Sequence, residues 1–471
     1  MRKFLKTFCL LLLVMLAAFT VTSCKKNKND KVLRIVVKSA GFGNEWIYEL
    51  EKVFEAKYPE YDVQITAEYD ANSIIQKHLE SKDNNDDLYI SVGSEWKSYA
   101  AQGYFAELDS YLDDPVDNTT LEGKVADEYK NSIKFTKSDG SVHCYRLPWT
   151  SGVGGIYYNK KMFEKYGWQV PTTFEELLAL CETILNAKIP NPTGTDAVKP
   201  FAYTGANTDY FDYTVFDWWA QIVGTDAINN FLKYDSAANY NASSNPTYAA
   251  LKTATSYWSQ LFVNGTSGES KYVVANSKAK TAENAQKEFV NGYAAMMFNG
   301  DWLYNEIKSY GIQNANFELG LMKTPVIKEA NSAYVNTAYV IGEDQYIAIP
   351  KTSKKIDVAM NFVKLMVSNQ GSVIFTNKAN GFLAYNTDFT NAEISDAFTR
   401  EVIALRSSYT TKFTSYSTNR KYLCNFIDIW CTSALRPYSG LLNGTTSIDA
   451  AFNNIATTSN ANWGDWTSRS E

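Results

Sequence analysis

Pairs of a carboxylate and a tryptophan stand where three apolar segments of this chain end. Asp301 and Trp302 follow the apolar run AAMMF, and Glu-Trp pairs stand at 45–46 and 95–96, each shortly after a β-rich run. An aromatic ring buries a large apolar surface at little entropic cost, and a carboxylate accepts hydrogen bonds in its plane. Together they suit a ligand with an apolar face and a rim of hydroxyl groups, as a sugar ring has. A helix-capping role for Asp301 is the alternative.

The sequence lacks the common motifs of zinc proteases, serine hydrolases, thiol redox proteins and P-loop nucleotide-binding proteins. The patterns H-E-x-x-H, G-x-S-x-G and C-x-x-C and the P-loop do not occur in the sequence. The two histidines, His78 and His143, are far apart, and we interpret both as surface or structural residues. Basic residues are dispersed except for the short run KKNKNDK after Cys24, which argues against nucleic-acid binding. We expect no metal and no cofactor.

The elements that would position the carboxylate-tryptophan pairs alternate between strand and helix. Periodicity predicts strands over 32–37, 61–67 and 87–92, and helices over 44–60, 73–82 and 96–104. This order indicates an α/β fold with a mostly parallel sheet and helices on both faces. Ligands of such sheets gather at the loops beyond the carboxyl ends of the strands. Both Glu-Trp pairs fall in such loops, at 38–46 and 93–96.

A second α/β segment begins near residue 145. A strand over 155–159 leads to a short helix, and Thr172 or Thr173 caps the helix after that, with Glu175 and Glu176 in its first turn. Farther on, 327–350 is predicted as loop and strand, and 354–369 as a helix. A chain of 471 residues is too long for one core, so two lobes are expected.

The N-terminus is typical of a lipoprotein signal peptide. A basic start precedes twelve apolar residues over 8–19, a run too short to span a bilayer as a helix. The sequence VTSC that follows resembles the bacterial lipobox, in which the cysteine is lipidated after cleavage. We therefore predict a signal peptide over 1–23, a lipidated Cys24 and a polar tether to residue 30. An ordinary secretory signal is the alternative, and no later run is long enough for a transmembrane helix.

Four further cysteines, Cys144, Cys181, Cys424 and Cys431, are too few for a disulfide scaffold. If the stretch CNFIDIWC is helical, the Cα atoms of Cys424 and Cys431 are about 10 Å apart. A disulfide needs less than about 7 Å. We therefore expect free thiols.

Three stretches carry a resemblance to a known family. They are the segment LPWTSGVGGIYYNKKMFEKYGWQVPTT within 147–180, the segment FVNGYAAMMFNGDW at 289–302, and the segment YIAIPKTSKKIDVAMNFVKLM within 346–372. In order and spacing the chain resembles, from about residue 31 to 385, the extracellular solute-binding proteins of bacterial ABC importers. The likeness is to the carbohydrate-binding group that includes maltodextrin-type and multiple-sugar-type proteins.

The resemblance implies a periplasmic-binding-protein-like fold, with two α/β lobes joined by two or three hinge crossings and a ligand between them. Lobe one would comprise 31–147 and 324–370, and lobe two 148–323 and 371–471. It also implies a protein without enzymatic activity, working as a monomer at the outer face of the cytoplasmic membrane. Its partners would be a carbohydrate and the permease subunits of an ABC transporter.

Family position assigns ligand contacts to residues in the loops of both lobes. Trp46 has a core role as an alternative because it fits the apolar stripe of its helix, and Trp149 has a structural role in the hinge as its alternative. For the pair at 95–96 we favour the acid over the tryptophan. The predicted ligand-binding residues are Glu45, Trp46, Glu95, Trp149, Asp209, Tyr210, Asp301, Trp302 and Tyr339.

The sequence thus predicts a lipid-anchored receptor that captures a mono- or oligosaccharide and delivers it to a permease. Two alternatives stay open. One is a surface-anchored glycoside hydrolase, which would use two carboxylates roughly 5 to 10 Å apart. The other is the same fold binding a peptide or another solute, because a fold does not fix its ligand.

Overall fold

The computed structural model describes residues 31–39, 41–264, 268–342, 344–416, 438–442 and 444–468. The predicted signal peptide, Cys24 with its tether, and the pair Cys424 and Cys431 lie outside the described residues. Cys144 and Cys181 are buried and form no disulfide. In the described part of the chain, each helix falls short of the length or the apolar character needed to span a bilayer.

Strands and helices alternate through most of the described chain. The strands are β1 (Val32–Lys38), β2 (Asp62–Glu68), β3 (Leu88–Val92), β4 (Pro115–Val116), β5 (Thr119–Thr120), β6 (Phe135–Thr136), β7 (Val142–His143), β8 (Gly152–Asn159), β9 (Lys199–Ala202), β10 (Ala294–Gly300), β11 (Leu319–Met322), β12 (Thr337–Ile341), β13 (Gln345–Ala348) and β14 (Thr411–Phe413). The α-helices are α1 (Glu45–Lys57), α2 (Ala71–Leu79), α3 (Trp96–Ala101), α4 (Leu121–Lys124), α5 (Lys160–Tyr166), α6 (Phe174–Asn186), α7 (Asp212–Phe231), α8 (Pro246–Phe262), α9 (Ala282–Asn291), α10 (Leu303–Ser309), α11 (Ile356–Val367), α12 (Asn369–Ala379), α13 (Ala397–Ser408), α14 (Tyr438–Leu442) and α15 (Ile448–Ser468).

The first sheet confirms the predicted alternation of strands and helices. Its strand order is β13-β3-β1-β2, with β1 parallel to β2 and β3, and β13 antiparallel to β3. One face of β1 presents Leu33, Ile35 and Val37 to the same buried core as Leu50 and Phe54 of α1. Because α1 and β1 bury these apolar faces against each other, the described residues of the loop between them, loop 39–44, are fixed at the carboxyl end of β1; they are residue 39 and residues 41–44.

The second sheet is mixed. Its strand order is β14-β12-β8-β10-β9, and β11 pairs with β8 beyond the ends of β12. Strand β8 runs antiparallel to β10, β11 and β12, so it is the centre of the sheet. The predicted strand over 155–159 starts three residues earlier in the structure, because Gly152 and Gly154 belong to the strand rather than to a preceding turn.

The predicted helix cap after the Pro turn is confirmed. The hydroxyl of Thr173 accepts a hydrogen bond from the backbone N–H of Glu176 at 3.2 Å, and the Glu176 carboxylate accepts from the N–H of Thr173 at 3.2 Å. The two bonds form a reciprocal capping box, which satisfies donors that the first turn of α6 leaves free.

Two predicted lobe boundaries are corrected. The boundary at 324 put β12 into lobe one, but β12 pairs with β8 and β14 in the second sheet. The boundary at 370 put α12 into lobe two, but Phe375 of α12 contacts Trp46 of α1, with ring centroids 5.1 Å apart. Periodicity shows that a strand or a helix forms, and it does not show which sheet or helix that element joins. The rest of the predicted division stays a prediction.

Within the described residues, the chain therefore passes between the two sheets in three places. The first lies between β7 and β8, where Leu147 bridges to Ile347 and Thr150 to Leu383. The second is the turn between β12 and β13, and the third lies between α12 and α13. Three crossings agree with the predicted two or three, and they bring loop 39–44 of the first lobe close to α10 of the second.

Candidate functional site

Trp302 is a partly exposed tryptophan at the seam between the two lobes. It follows β10 directly and precedes the first turn of α10. A Cβ on Gly41, in loop 39–44 of the first lobe, would lie 3.4 Å from the Cβ of Trp302. Trp302 therefore follows a strand of the second sheet and lies against loop 39–44 of the first lobe.

Glycines of β8 and β10 make room for the indole of Trp302. A Cβ on Gly300 would lie 2.2 Å from the ring, and a Cβ on Gly152 would lie 2.8 Å from it, so neither position could carry a side chain without moving the ring. Two residues along β8, a Cβ on Gly154 would lie 2.6 Å from the Cβ of Tyr213. The alternate positions of a strand face the same side. The sequence GVGG therefore seats Trp302 and Tyr213 side by side.

Tyr213 and Trp302 form an aromatic corner. Their ring centroids are 5.2 Å apart with planes at 80°, an edge-to-face contact. Tyr210 extends the corner, because its ring lies 5.0 Å from that of Tyr213. Tyr213 lies in the first turn of α7 and was missed by the sequence analysis. Its only signal was its place in the aromatic-rich stretch NTDYFDYTVF.

Asp301 is buried, and its Oδ1 lies, like the indole of Trp302, close to Gly152. It is 1% exposed, and its Oδ2 accepts a hydrogen bond from the N–H of Val153 at 3.3 Å. Its Oδ1 is buried without a hydrogen-bond partner among the described residues. Burial raises the pKa of the carboxyl to about 6, while the guanidinium of Arg406, 3.8 Å away, lowers it. Asp301 is therefore a buried residue of the second lobe that faces Arg406, and the ligand contact predicted for it stays a prediction.

The predicted capping role of Asp301 is also corrected. Helix α10 begins at Leu303, so its N-cap residue is Trp302 and not Asp301. The side chain of Trp302 makes no capping hydrogen bond. Arg406, which no sequence signal indicated, comes from α13 and donates to the backbone oxygen and the hydroxyl of Ser151, both at 2.9 Å. Asp301, Arg406 and Ser151 thus join β10, α13 and the first crossing.

Three aromatic residues predicted to contact the ligand lie in the core instead. Trp46 is 0% exposed and Trp149 is 1% exposed, and their ring centroids are 5.7 Å apart. Tyr339 is 3% exposed and packs edge-to-face on Phe216 at 4.8 Å. A ring with no exposed face cannot stack on a ligand, so these placements correct the ligand contacts predicted for Trp46, Trp149 and Tyr339. They match the core alternative for Trp46 and the structural alternative for Trp149. Tyr210 is buried as well.

The predicted acids lie at the ends of their loops. Glu45 is the exposed first residue of α1, and Glu95 is the exposed residue before α3. Trp96 is buried, with the guanidinium of Arg146 4.6 Å from its ring, which agrees with our preference for Glu95 within that pair. Asp209 lies in the turn 208–211, and its side chain is outside the described residues. Ligand contacts by these three acids stay predictions.

Both histidines have structural partners. His78 Nδ1 is 2.6 Å from a carboxylate oxygen of Asp86. His143 Nδ1 lies 3.5 Å from Asp109 and 3.9 Å from Glu107. These three groups are within 4.8 Å of one another, and Lys137 is 3.8 Å from Glu107, so a side-chain cation already faces the carboxylates. The interpretation of the histidines as surface or structural residues agrees with these contacts.

Comparison with known proteins identifies the fold. Residues 39–373 match the bacterial extracellular solute-binding protein family, a stretch that covers more than half of the chain. The chain belongs to this family. The resemblance inferred from the three motifs is thereby confirmed, and an extracytoplasmic location follows from membership of an extracellular family.

Several characterised solute-binding proteins are similar over most of their length. The multiple sugar-binding protein of Streptococcus mutans is 26% identical over 359 residues, which cover 75% of this chain and 76% of that protein. The GacH receptor of Streptomyces glaucescens, solved unliganded and with acarbose, aligns with a TM-score of 0.64 at 17% identity over 93% of this chain and 99% of its own. The solute receptor AcbH, which prefers β-D-galactopyranose, aligns with a TM-score of 0.64 at 16% identity over 91% and 98%. These structures confirm the two-lobed solute-binding fold.

Proposed function

We propose that this solute-binding protein captures a mono- or oligosaccharide in the cleft between its lobes and delivers it to the permease of an ABC transporter. The observation that carries the proposal is Trp302, a partly exposed indole at the seam that packs against Gly152 and Gly300. A seated aromatic ring offers a sugar its apolar face without losing conformational freedom on binding.

Polar groups for the hydroxyl rim of a sugar stand beside the indole. Glu306 and Asn305 follow Trp302 at positions i+4 and i+3, on the same side of the first turn of α10, and both are partly exposed. A carboxylate and an amide accept and donate hydrogen bonds in a plane, as sugar recognition requires. The relatives named for sugars support the same ligand class.

Delivery to a permease and anchoring at Cys24 complete the proposal. The lipobox-like sequence VTSC supports an acylated Cys24 at the outer face of the cytoplasmic membrane. More than one acyl chain is needed for stable attachment, and a lipidated N-terminal cysteine carries them. We further propose that the protein works as a monomer and performs no covalent chemistry, in keeping with a family of binding proteins.

A ligand screen tests the proposal. The purified protein is heated with neutral monosaccharides, oligosaccharides, amino acids and short peptides in separate wells, and the midpoint of thermal unfolding is recorded. A ligand that binds the native state raises the midpoint by mass action. We expect sugars to raise it, with a micromolar Kd, about −8 kcal/mol, confirmed by calorimetry. A response to peptides alone would overturn the carbohydrate assignment.

Recovery of the ligand separates binding from hydrolysis. Each sugar that raises the midpoint is incubated with the protein overnight and then analysed by chromatography. We expect it to be recovered unaltered. Shortened products would instead support the glycoside hydrolase alternative.

A further inference from the structure

A direct hydrogen bond joins the two lobes beside Trp302. The side-chain amide of Asn305, in α10 of the second lobe, donates to the backbone oxygen of Gly41 at 2.7 Å. Gly41 lies in loop 39–44 of the first lobe, 264 positions away in sequence. Because it spans the seam between the lobes, the bond couples the position of loop 39–44 to that of α10.

Loop 39–44 is shaped for this contact by its glycines. Gly41 has φ of 55° and Gly43 has φ of 64°, values in the left-handed region that favours glycine. A Cβ on Gly43 would lie 3.6 Å from Nδ2 of Asn305, so the loop backbone closely approaches the helix. Trp302, Asn305 and Glu306 are spaced i, i+3 and i+4, so one face of the first helical turn meets the loop.

Glu306 also approaches loop 39–44, through the carboxylate oxygen that is not bonded to Gln286. Its Oε2 accepts a hydrogen bond from the side chain of Gln286 in α9 at 2.7 Å, and Gln286 in turn accepts from the hydroxyl of Tyr310. Its Oε1 lies 3.9 Å from the position of a Cβ on Gly41. The uncharged backbone of Gly41 therefore lies beside this carboxyl.

The charged side chains on the neighbouring helix α9 pair with each other rather than with Glu306. On α9, Glu283 is paired with Lys287, whose Nζ stands 5.1 Å from the ring of Tyr310. Burial, Glu306, Glu283 and, from the first lobe, Tyr69 all raise the pKa of Tyr310. Loop 39–44 carries no ionisable side chain. Among the described residues, no Lys, Arg or His lies within ion-pair distance of Glu306.

Burial raises the pKa of Glu306 to about 7, and the amide of Gln286 lowers it. When the lobes separate, water reaches Oε1 and the pKa falls toward its ordinary value. The closed form thus binds a proton more tightly than the open form, and near neutral pH closure takes up a proton. Lower pH favours the closed form, and higher pH favours the open form.

We propose that the first turn of α10 is an interlobe latch, in which Asn305 and Glu306 act as positioning residues that hold loop 39–44 against the second lobe even without a ligand. The inference rests on the proposed function for its meaning, since a closed cleft is what retains a ligand. Its test contains no ligand and is therefore independent of the carbohydrate assignment.

The experiment measures hydrogen exchange of the ligand-free protein at pH 6 and pH 8. Peptides covering 41–44 and 303–309 report the seam, and protection is taken relative to the intrinsic exchange rate at each pH. Asn305→Ala removes the interlobe bond, and we expect the seam to lose about threefold to tenfold in protection, the range of one net hydrogen bond. The matched control is Asn229→Ala, an exposed residue of α7, which should leave the seam unchanged.

Glu306→Gln separates a latch from a merely structural side chain. Glutamine keeps the bond with Gln286 and stays uncharged, so seam protection should equal that of the wild-type protein at pH 6 and should persist at pH 8. The wild-type protein should lose several-fold in protection between these pH values. Any of three results would overturn the latch. The wild-type seam could be unprotected at both pH values, or Asn305→Ala could leave its protection unchanged. The third such result is a Glu306→Gln protein whose seam protection depends on pH as in the wild type.

Discussion

Trp302 owes its position to residues that themselves stay out of the cleft. Gly152 and Gly300 leave space for the indole, and Tyr213 makes an edge-to-face contact with it. A rigid aromatic platform loses little entropy when a ligand binds, so most of its buried area counts toward affinity. The ligand-binding contribution of this residue is therefore separable from its contribution to stability.

Replacing the indole tests that separation. Trp302→Ala should weaken binding of the sugar identified by the thermal screen by about 2 to 3 kcal/mol, roughly 30- to 150-fold in Kd, the range of a buried aromatic hot spot. Calorimetry gives the affinity, and circular dichroism checks the fold. Trp302→Phe keeps part of the stacking surface and should lose less. Unchanged affinity in a folded Trp302→Ala protein would refute the stacking role.

Asp217 is a second buried carboxyl, remote from solvent and built into the second lobe. It accepts hydrogen bonds from the N–H of Tyr339 at 2.6 Å and from the hydroxyl of Thr324. Burial raises its pKa from 3.8 to about 7, against the lowering effect of these bonds. Since the folded protein then holds the proton more tightly than the unfolded chain, the free energy of unfolding falls as pH rises from about 4 to 7.

Asp217→Asn should remove this part of the pH dependence. Asparagine can still accept from Tyr339 and can donate to Thr324, so at pH 4.5 the variant should be close to the wild type. At pH 7.5 it should be more stable, by up to about 4 kcal/mol for a shift of about three pKa units. Denaturant unfolding at the two pH values measures the difference. The exposed Asp113→Asn serves as control, and an equal pH slope in all three proteins would contradict the prediction.

At the scale of elements, strand β8 shapes the site because its positions 152 and 154 are glycines, which carry no side chain. Its glycines at 152 and 154 face Trp302 and the first turn of α7. Their backbone hydrogen bonds continue the sheet, with Gly154 opposite Gly300. A side chain on this face would force either the indole or the helix away from the strand, so the shape of the cleft wall depends on β8.

Gly152→Ala tests this dependence. The added methyl group would lie 2.8 Å from the indole, so the ring must move, at a cost of about 1 to 3 kcal/mol in the free energy of unfolding. We expect sugar affinity to fall as well, by an amount that calorimetry measures. Gly464→Ala, at an exposed position of α15 where a Cβ meets nothing within 4 Å, is the matched control and should be neutral or slightly stabilising. If the two variants changed the free energy of unfolding and the sugar affinity equally, the steric explanation would be wrong.

The sequence predicted elements better than it predicted partners. The strands and helices of the first sheet agree with the prediction within a few residues, because β1 and β3 are compact β-rich runs, β2 alternates with period two and α1 has helical apolar spacing. The stretch over 327–350 was expected to hold one strand, and it holds two that join different sheets. A local pattern cannot encode which distant strand a segment pairs with.

The same limit explains which residues around the site the sequence analysis misassigned or missed. Trp302 was placed at the seam because a recognisable motif surrounds it, whereas Trp46 and Trp149 were aromatic residues in the right loops that turn into the core. The apolar spacing of Trp46 with Leu50 and Phe54 was the signal for burial. Nothing local indicated Arg406, since its partners Ser151 and Asp301 lie more than a hundred residues away.

At the scale of the whole molecule, Arg406 connects the third crossing to the first. It donates twice to Ser151 and faces Asp301 at 3.8 Å. A buried carboxylate without a cation is expensive, so the pair is worth most when Asp301 is ionised. The guanidinium thus stabilises the arrangement of α13 against β8 and β10 chiefly above about pH 6, where the pKa of Asp301 lies.

Arg406→Met should therefore destabilise the protein more at pH 8 than at pH 5. We expect a loss of about 3 to 5 kcal/mol in the free energy of unfolding at pH 8, as for other broken buried pairs, and a smaller loss at pH 5. Adding Asp301→Asn should recover part of the loss at pH 8. Arg400→Met, whose guanidinium bonds only nearby backbone oxygens, is the control. A pH-independent loss would show that Asp301 is not the partner that matters.

The antiparallel strand β13 completes the first sheet from the far side of the chain. Its partner β3 ends at Val92, and β13 ends at Ala348, so roughly 250 residues separate them. A ribosome adding about 5 to 20 residues per second needs tens of seconds to supply that stretch. Throughout this interval β3 presents an unpaired edge, the template on which chains aggregate. A nascent chain of this protein thus has a long period of exposure to chaperones, set by topology and not by the stability of the finished fold.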